Sequence, residues 1–132
     1  MSKSAFEGLK VIEHAQLAAG PYCTKLLADL GAEVIKIEPP RIGDAARRRG
    51  PFLNDVPHPE RSGLFFYLNT NKLGITLDVT TEAGRKVFRQ LVRDCDVLVE
   101  DTTPGTMDAL GLGYGSLREI NPRLIMTSIT PF

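Results

Sequence analysis

Arginine and lysine side chains follow the apolar segments of this chain at places where they could hold an anionic ligand. Arg41 and the run Arg47–Arg49 come shortly after the apolar segment 33–38. A guanidinium can donate two parallel hydrogen bonds to a phosphate or a carboxylate. A solvated basic loop explains the same residues equally well. Lys72 has the same two interpretations, because it lies in an asparagine-rich turn where lysines are usually exposed.

Small residues occupy a second candidate position. Ala18, Ala19 and Gly20 stand immediately before a helical pattern, whose free N–H groups could hold a phosphate or a carboxylate. This segment lacks the GxGxxG motif, which disfavours a dinucleotide-dependent oxidoreductase. The sequence has no P-loop, no HExxH and no zinc-spaced set of Cys and His, so no metal site is predicted. His14 is interpreted as a strand-end residue, and His58 as an exposed loop residue.

Composition limits the classes of partner. The chain has 132 residues, with 16 Lys plus Arg and 16 Asp plus Glu, so no global charge attracts nucleic acid or an anionic membrane. No segment approaches the roughly 18 to 20 apolar residues of a membrane span, and the first ten residues lack a secretion signal. Cys23 and Cys95 are isolated, which favours free, buried or half-buried thiols. We therefore expect one domain, or a piece of one, in a cytoplasmic protein without nucleic-acid or membrane partners.

Strand and helix patterns alternate along the chain. A helical pattern that ends at Gly31 follows the first strand, and Thr80 or Thr81 caps a later helix. Residues 39–63 show no period and are predicted to be a long loop, followed by a helical turn at 64–68. The buried face of the capped helix is predicted to be Val87, Phe88, Leu91 and Val92. The predicted strands are residues 9–13, 33–38, 74–78, 96–100 and 124–129.

This alternation predicts an α/β fold. We expect a Rossmann-like, mostly parallel, doubly wound sheet of about five strands, with helices on both faces. Ligands bind outside the carboxyl ends of the strands in such sheets. The loops that should converge on a ligand are residues 14–20, 39–44, 78–81 and 100–105.

Motifs along the whole chain carry a family resemblance. The chain resembles CoA-transferase family III, the CaiB/BaiF type, whose members include CoA-transferases and an acyl-CoA racemase. The resemblance implies a large domain that binds CoA along its strand ends and forms an interlocked homodimer. The matching segments are GLKVIE (8–13), AGPYCT (19–24), LGAEVIKIEPP (30–40), GD (43–44) with Arg47, NK (71–72), LD (77–78), LGLGY (110–114) and NPRLI (121–125).

The resemblance also implies a set of CoA contacts. Four positions depart from the family pattern, namely Pro39, Thr80, the segment from Asp101, and Ala109. We therefore hypothesise that Arg41 and Arg47 supply the charge that binds phosphate. CoA or acyl-CoA is expected as a substrate, with a carboxylic acid as acceptor and no permanently bound cofactor. The predicted contacts are Ala18, Ala19, Arg41, Arg47, Lys72, Leu77, Asp78, Val79, Thr80, Asp101, Thr102 and Thr103.

Family chemistry uses an aspartate that attacks the acyl-CoA thioester and leads to an aspartyl-CoA thioester. The resemblance places that aspartate beyond Phe132, so no catalytic residue is predicted within the chain. Residues 1–132 are expected to be the N-terminal part of the large domain, with the catalytic segment and the small domain absent. The leading hypothesis is part of a CoA-transferase. The alternatives are an acyl-CoA racemase of the same family and a non-catalytic module that binds CoA or another protein.

Overall fold

The chain folds around one parallel β-sheet in the computed structural model, which describes residues 4–130. The strand order is β3-β2-β1-β4-β5, and every neighbouring pair is parallel. This arrangement confirms the α/β fold predicted from the sequence. The strands are β1 (Lys10–His14), β2 (Glu33–Glu38), β3 (Leu73–Thr76), β4 (Val97–Glu100) and β5 (Ile125–Ser128).

Helices lie on both faces of the sheet. α1 packs on one face through Ala28, while α3 and α5 pack on the other through Phe88 and Leu117. Two short 3₁₀ helices, Ala45–Arg48 and Leu53–Asp55, lie in the connection between β2 and α2. The helices are α1 (Ala19–Asp29), α2 (Gly63–Leu68), α3 (Glu82–Arg93), α4 (Thr106–Ala109) and α5 (Tyr114–Ile120).

Two apolar clusters form the core, one on each face. The larger joins Ile12 and Leu98 of the sheet to Phe88, Val92 and Leu117 of the helices above them. The smaller joins β1 and β2 to α1 through Val11, Val34 and Ala28. Burial of this apolar surface fixes the sheet, and therefore fixes the positions of the loops at its carboxyl edge.

The structure corrects two details of the sequence-based prediction. β3 spans residues 73–76 rather than 74–78, because its ladder with β2 ends where the N–H of Leu77 donates to the carbonyl of Glu38 at 3.0 Å. The next residue of that neighbouring chain segment is Pro39, which has no N–H to extend the ladder. In α3, Phe88 and Val92 are buried as predicted, but Val87 is 40% exposed. Val87 faces an apolar cavity of about 230 Å³ at the amino ends of the strands.

The segment 39–63 is held by side-chain hydrogen bonds. Asp44 caps the first 3₁₀ helix by accepting from the N–H of Ala46 at 2.7 Å. The Ser62 hydroxyl lies 2.7 Å from the carbonyl oxygen of Ala46 and 2.6 Å from that of Arg49, and it caps α2 at the N–H of Phe65. The predicted long loop therefore has a defined path, built on the caps at its two ends.

Candidate functional site

The loops after β1 and β4 meet at the carboxyl edge of the sheet. These strands are neighbours in space although β2 and β3 lie between them in sequence, so the strand order reverses here. The N–H of Gln16 donates to Asp101 Oδ2 at 2.8 Å, and Gln16 Oε1 accepts from the N–H of Ala45 at 3.1 Å. The N–H of Leu17 also donates to Asp44 Oδ1 at 3.0 Å, so three of the four predicted loops are joined at a position where parallel sheets commonly bind ligands.

Ala18 and Ala19 are exposed at the beginning of α1, between the β1 and β4 ends. No side chain caps this helix, since its N-cap residue is Ala18. Gly20 follows in the first turn, where any side chain would collide with Ala15. The small residues therefore leave the backbone of this loop open to close approach.

Four charged side chains are buried beneath this loop, and we call Glu13, Lys36, Asp44 and Lys72 the buried charge cluster. Their side chains are at most 2% exposed. Lys36 Nζ lies 2.6 Å from Glu13 Oε1 and 2.6 Å from Asp44 Oδ2, and Lys72 Nζ lies 2.7 Å from Glu13 Oε2. Two positive and two negative charges balance, which is the condition under which such groups can be buried.

The cluster also fixes the backbone on both sides of the loop. Lys36 Nζ donates to the carbonyl of Ala15 at 3.0 Å, and Lys72 Nζ donates to the carbonyl of Pro21 at 2.8 Å. Within α1, the Thr24 hydroxyl donates to Glu13 at 2.5 Å. The ammonium groups therefore hold the loop from below, and its upper surface stays exposed.

Lys72 and Arg47 are two predicted contacts whose donors are taken by protein acceptors. Lys72 donates to Glu13, Pro21 and Asn69, and burial lowers its pKa although Glu13 opposes that shift. Arg47 makes a two-point pair with Glu38, with Nε to Oε2 at 2.7 Å and Nη2 to Oε1 at 2.8 Å. Their contact with CoA stays a prediction.

Arg41 lies with the β3–α3 residues at the other end of the edge. It is exposed and has a positive φ of 65°. With Thr76 it lines a cavity of about 250 Å³. Hydrogen bonds from the hydroxyl and the N–H of Thr80 lower the pKa of Asp78, and the charge of Arg41 adds to this shift. The predicted residues Arg41, Asp78 and Thr80 are therefore brought together. Leu77 is half-buried and Val79 is buried beside them.

A cavity of about 530 Å³ lies beside the end of β4. Thr102 and Thr103, both predicted contacts, line it together with Tyr114 of α5. Glu100 closes one side and accepts from the N–H of Thr102 at 2.7 Å and from its hydroxyl at 2.6 Å. Burial raises the pKa of Asp101, although its bond from Gln16 opposes that change.

His14 ends β1, as predicted, beside Glu100 of β4. Burial lowers its pKa, while the charge of Glu100 opposes this change. Its ring packs edge-on against Phe88 with centroids 5.9 Å apart. His58 is exposed, as predicted.

Sequence reasoning missed Glu13, Lys36, Asp44 and Glu100. Three of them carried a signal, because each is a charged residue within or at the end of an apolar strand. Glu13 and Lys36 are also direct neighbours in the parallel register of β1 and β2. Asp44 carried no such signal, since its contacts depend on the path of the 39–63 segment.

Two negative findings apply to residues 4–130. No three His, Cys, Asp or Glu side chains in this range are grouped so that they could hold a metal ion. None of the helices there is both long enough and apolar enough to cross a membrane. Cys23 is half-buried and Cys95 is buried, both as free thiols.

Comparison with known proteins identifies the family. The model of CoA-transferase family III matches residues 6–132. The formyl-CoA:oxalate CoA-transferase of Rhodopseudomonas palustris (strain HaA2) is 43% identical over 128 residues, which are 97% of this chain and 29% of that protein. The acetyl-CoA:oxalate CoA-transferase of Acetobacter aceti is 44% identical over 130 residues, 98% of this chain and 32% of that protein.

A solved structure gives the same result. A CAIB/BAIF family protein from Brucella suis superposes with a TM-score of 0.88 at 47% identity, covering 99% of this chain and 34% of that one. The chain thus spans about a third of the length of the relatives it matches. With the family model matched over nearly all of its residues, the chain belongs to CoA-transferase family III.

Proposed function

We propose that this chain forms part of the CoA-binding cleft of a CoA-transferase, which moves CoA between an acyl-CoA thioester and a carboxylic acid. The observation that supports this best is the junction of the β1 and β4 loops, where Gln16 donates to Asp101 and leaves Ala18 and Ala19 exposed. The relatives named above, which act on formyl-CoA or acetyl-CoA with oxalate, support the class of reaction.

CoA in this proposal extends along the carboxyl edge of the sheet. β3 and β4 are three strand spacings apart, roughly 14 Å. An extended ligand can therefore contact Leu77–Thr80 at one end and Asp101–Thr103 at the other, passing Ala18 and Ala19 between them. Arg41 is placed to meet a phosphate group. Arg47 and Lys72 would have to exchange their protein acceptors for phosphate oxygens.

The proposed route follows the chemistry of a carboxylate nucleophile. An aspartate attacks the thioester carbonyl, which forms a mixed anhydride and releases CoA as the thiolate. The thiolate then attacks the aspartyl carbonyl of this anhydride, which forms an aspartyl-CoA thioester and releases the original acyl group as its carboxylate. Asp78 and Asp101 each accept hydrogen bonds from backbone N–H groups, and we assign neither of them the attacking role. An interlocked homodimer and a cytoplasmic location belong to the same proposal.

Calorimetric titration with CoA tests the binding part of the proposal. We expect saturable binding that weakens as salt concentration rises, because phosphate charges contribute. Arg41→Ala should weaken binding about tenfold, the loss of one charge-assisted contact. Arg93→Ala is the matched control, since Arg93 is an exposed arginine in the last turn of α3, before β4 begins. Absence of CoA binding by the unmodified chain would refute the proposal.

Transfer activity is a separate measurement. The chain is incubated with formyl-CoA, acetyl-CoA or succinyl-CoA and oxalate, and the CoA esters are separated by chromatography. Without an assigned nucleophile, we expect CoA binding and no turnover from residues 1–132. Turnover by this chain would overturn that expectation and would require an attacking group among its own residues.

A further inference from the structure

Leu17, in the β1–α1 loop, has a left-handed backbone conformation with φ +63°. Apart from glycine, asparagine and aspartate, residues rarely adopt this conformation, because the Cβ atom approaches a backbone carbonyl. The Leu17 N–H donates to Asp44 Oδ1 at 3.0 Å. We propose that Asp44 is a positioning residue that holds Leu17 in this conformation and so presets the loop for CoA. The inference rests on the proposed function, since CoA is the ligand in question.

Asp44 is held firmly enough to do this. Its side chain is 0% exposed, and its Oδ1 also accepts from the N–H of Ala46 at 2.7 Å. Its Oδ2 faces Lys36 Nζ at 2.6 Å, and its own N–H donates to Glu38 Oε2 at 2.7 Å. The carboxylate cannot turn away from Leu17 without breaking contacts on every side.

The rest of the loop is fixed by other groups, which isolates the contribution of Asp44. Lys36 holds the carbonyl of Ala15, and Asp101 holds the N–H of Gln16. Leu17 is the next residue, and Ala18 and the start of α1 follow directly. A change of φ at Leu17 would therefore redirect Ala18 while β1 stays in place. Strained backbone of this kind persists where the surroundings enforce it, and it is concentrated at ligand sites.

Asp44→Ala is the direct test, with Ser62→Ala as its matched control. Ser62 is also buried and also holds the 39–63 segment, through contacts with Ala46 and Arg49, but its hydrogen bonds do not reach the β1–α1 loop. The first readout is the intraresidue amide–Hα nuclear Overhauser effect of residue 17, which is strong only at positive φ. The second is the dissociation constant for CoA, measured by calorimetry.

Asp44→Ala should abolish the strong Overhauser effect at Leu17 and weaken CoA binding about tenfold, because the loop relaxes to negative φ. Ser62→Ala should leave both readouts within about twofold of the parent chain. If Asp44→Ala does not fold, Asp44→Asn takes its place, because its amide oxygen can accept from the N–H groups of Leu17 and Ala46 while its amide nitrogen replaces the Oδ2 that pairs with Lys36. That variant should keep the Overhauser effect and most of the affinity.

Leu17→Gly separates strain from other effects of Asp44. Glycine adopts positive φ without steric cost, so removing Asp44 should weaken CoA binding much less in this background. Any contact made by the Leu17 side chain cancels, since Asp44→Ala is compared within each background. If Asp44→Ala weakens CoA binding by the same factor with leucine and with glycine at position 17, the inference is overturned.

The outcomes distinguish this inference from the proposed function. An unmodified chain that binds no CoA refutes the proposed function. A chain that binds CoA and loses no affinity with Asp44→Ala refutes only the role of Asp44. An equal loss with Ser62→Ala also refutes it, since loosening of the 39–63 segment would then explain the result. A folded Asp44→Asn variant that keeps the Overhauser effect but loses the affinity also refutes it, since the conformation of Leu17 would then not determine CoA binding.

Discussion

Lys36 of β2 connects several segments of the chain through its ammonium group. Its ammonium group meets three oxygens, one from each of Glu13, Asp44 and the backbone of Ala15. These contacts connect the sheet to the β1–α1 loop and to the 39–63 segment. Buried ion pairs add little net stability over an apolar core, but the loss of one partner leaves the other charge buried alone. The buried charge cluster therefore serves mainly to fix the loops and adds little net stability to the fold.

Lys36→Met should consequently destabilise the chain by about 3–5 kcal/mol, because Glu13 and Asp44 would lose their shared cation. Lys25→Met is the control, since the Lys25–Asp29 pair joins successive turns of α1 with Asp29 35% exposed, and such partly exposed pairs contribute less than about 1 kcal/mol. Urea unfolding of both variants measures the difference. Equal losses of unfolding free energy in the two variants would show that the buried contacts of Lys36 contribute no more to stability than the Lys25–Asp29 pair does.

The ion pair between Arg47 and Glu38 predicts that the stability of the chain depends on pH. Burial alone would raise the pKa of Glu38, but the guanidinium of Arg47 and the N–H of Asp44 together lower it below its ordinary value. A lowered carboxyl pKa in the folded state adds stability above the unfolded pKa, and this stability is lost as pH falls through the folded pKa. Arg47→Met removes the largest lowering contribution and keeps an apolar contact with Phe65, over which the guanidinium now stacks.

The difference in urea midpoint between the parent and Arg47→Met should therefore be greatest near neutral pH. It should narrow as pH falls below the ordinary glutamate value of 4.5. Arg48→Met, which removes a hydrogen bond to the Ile42 carbonyl and no ion pair, should show no such trend. A difference that is constant across this pH range would mean that the Arg47–Glu38 pair does not determine the effect.

At the scale of elements, local patterns predicted the strands and most helix positions. β2 could be recognised because its apolar residues end at Pro39 and Pro40, and α3 because Thr81 caps it at the N–H of Gly84. The orientation of α1 could not be predicted. Its apolar residues Tyr22 and Leu26 are exposed, as is Leu30 at its C-cap, while small residues face the sheet. The orientation of α1 is set by the close packing of these small residues on the sheet, which hydrophobic periodicity in the sequence does not indicate.

Sequence patterns pointed to those residues of the candidate site that lie in a loop directly after a strand. They did not point to residues whose position depends on hydrogen bonds or ion pairs with distant segments. Ala18 and Thr102 follow directly from the carboxyl ends of β1 and β4. Asp44 is different, because its contacts with Leu17 and Lys36 join residues that are 27 and 8 positions away only after the 39–63 segment has folded. No local pattern in the sequence encodes that path.

Substitution of Gly84, in the first turn of α3, tests how tightly this helix holds the β3–α3 loop. A Cβ atom at this position would collide with the carbonyl oxygen of Asp78, which also accepts from Thr81. Gly84→Ala should therefore cost about 1–3 kcal/mol by overpacking and should displace the loop that carries Asp78. Gly115→Ala is the matched control, because Gly115 also lies in the first turn of a helix and has nothing within 4 Å.

The control variant should be neutral or more stable by about 0.4–1 kcal/mol, since alanine restricts the unfolded chain. Thermal unfolding measures both variants. Comparable melting temperatures for Gly84→Ala and Gly115→Ala would contradict the close contact between α3 and the loop.

At the scale of the whole molecule, the sheet fixes the loops while apolar side chains remain on the outside. Both edge strands carry exposed residues, with Leu73 of β3 at 58% and Ile125 of β5 at 61%. An apolar stripe runs along α1 and its C-cap, where Tyr22, Leu26 and Leu30 follow one another at intervals of four residues and are 45–49% exposed. An apolar stripe of this kind favours self-association of the chain at high concentration.

Variants of Leu26 and Leu27 separate surface association from folding, since these adjacent leucines lie on different faces of α1, one exposed and one packed on the core. Leu27 packs against the cluster around Val11 and Val34, so Leu27→Glu should destabilise the chain by about 2–4 kcal/mol. Leu26 is 47% exposed, so Leu26→Glu should change the free energy of unfolding by less than about 0.5 kcal/mol.

Leu26→Glu should instead reduce association, because it places a charge in the middle of the stripe. Urea unfolding measures the first effect, and sedimentation velocity over a range of chain concentrations measures the second. A parent chain that stays monomeric at every concentration would show that the stripe does not associate. A large loss of stability with Leu26→Glu would show that this face of α1 packs inside the folded chain. Comparison of the Leu26→Glu and Leu27→Glu variants thus shows whether α1 is held by its packing on the sheet or by association with a second surface.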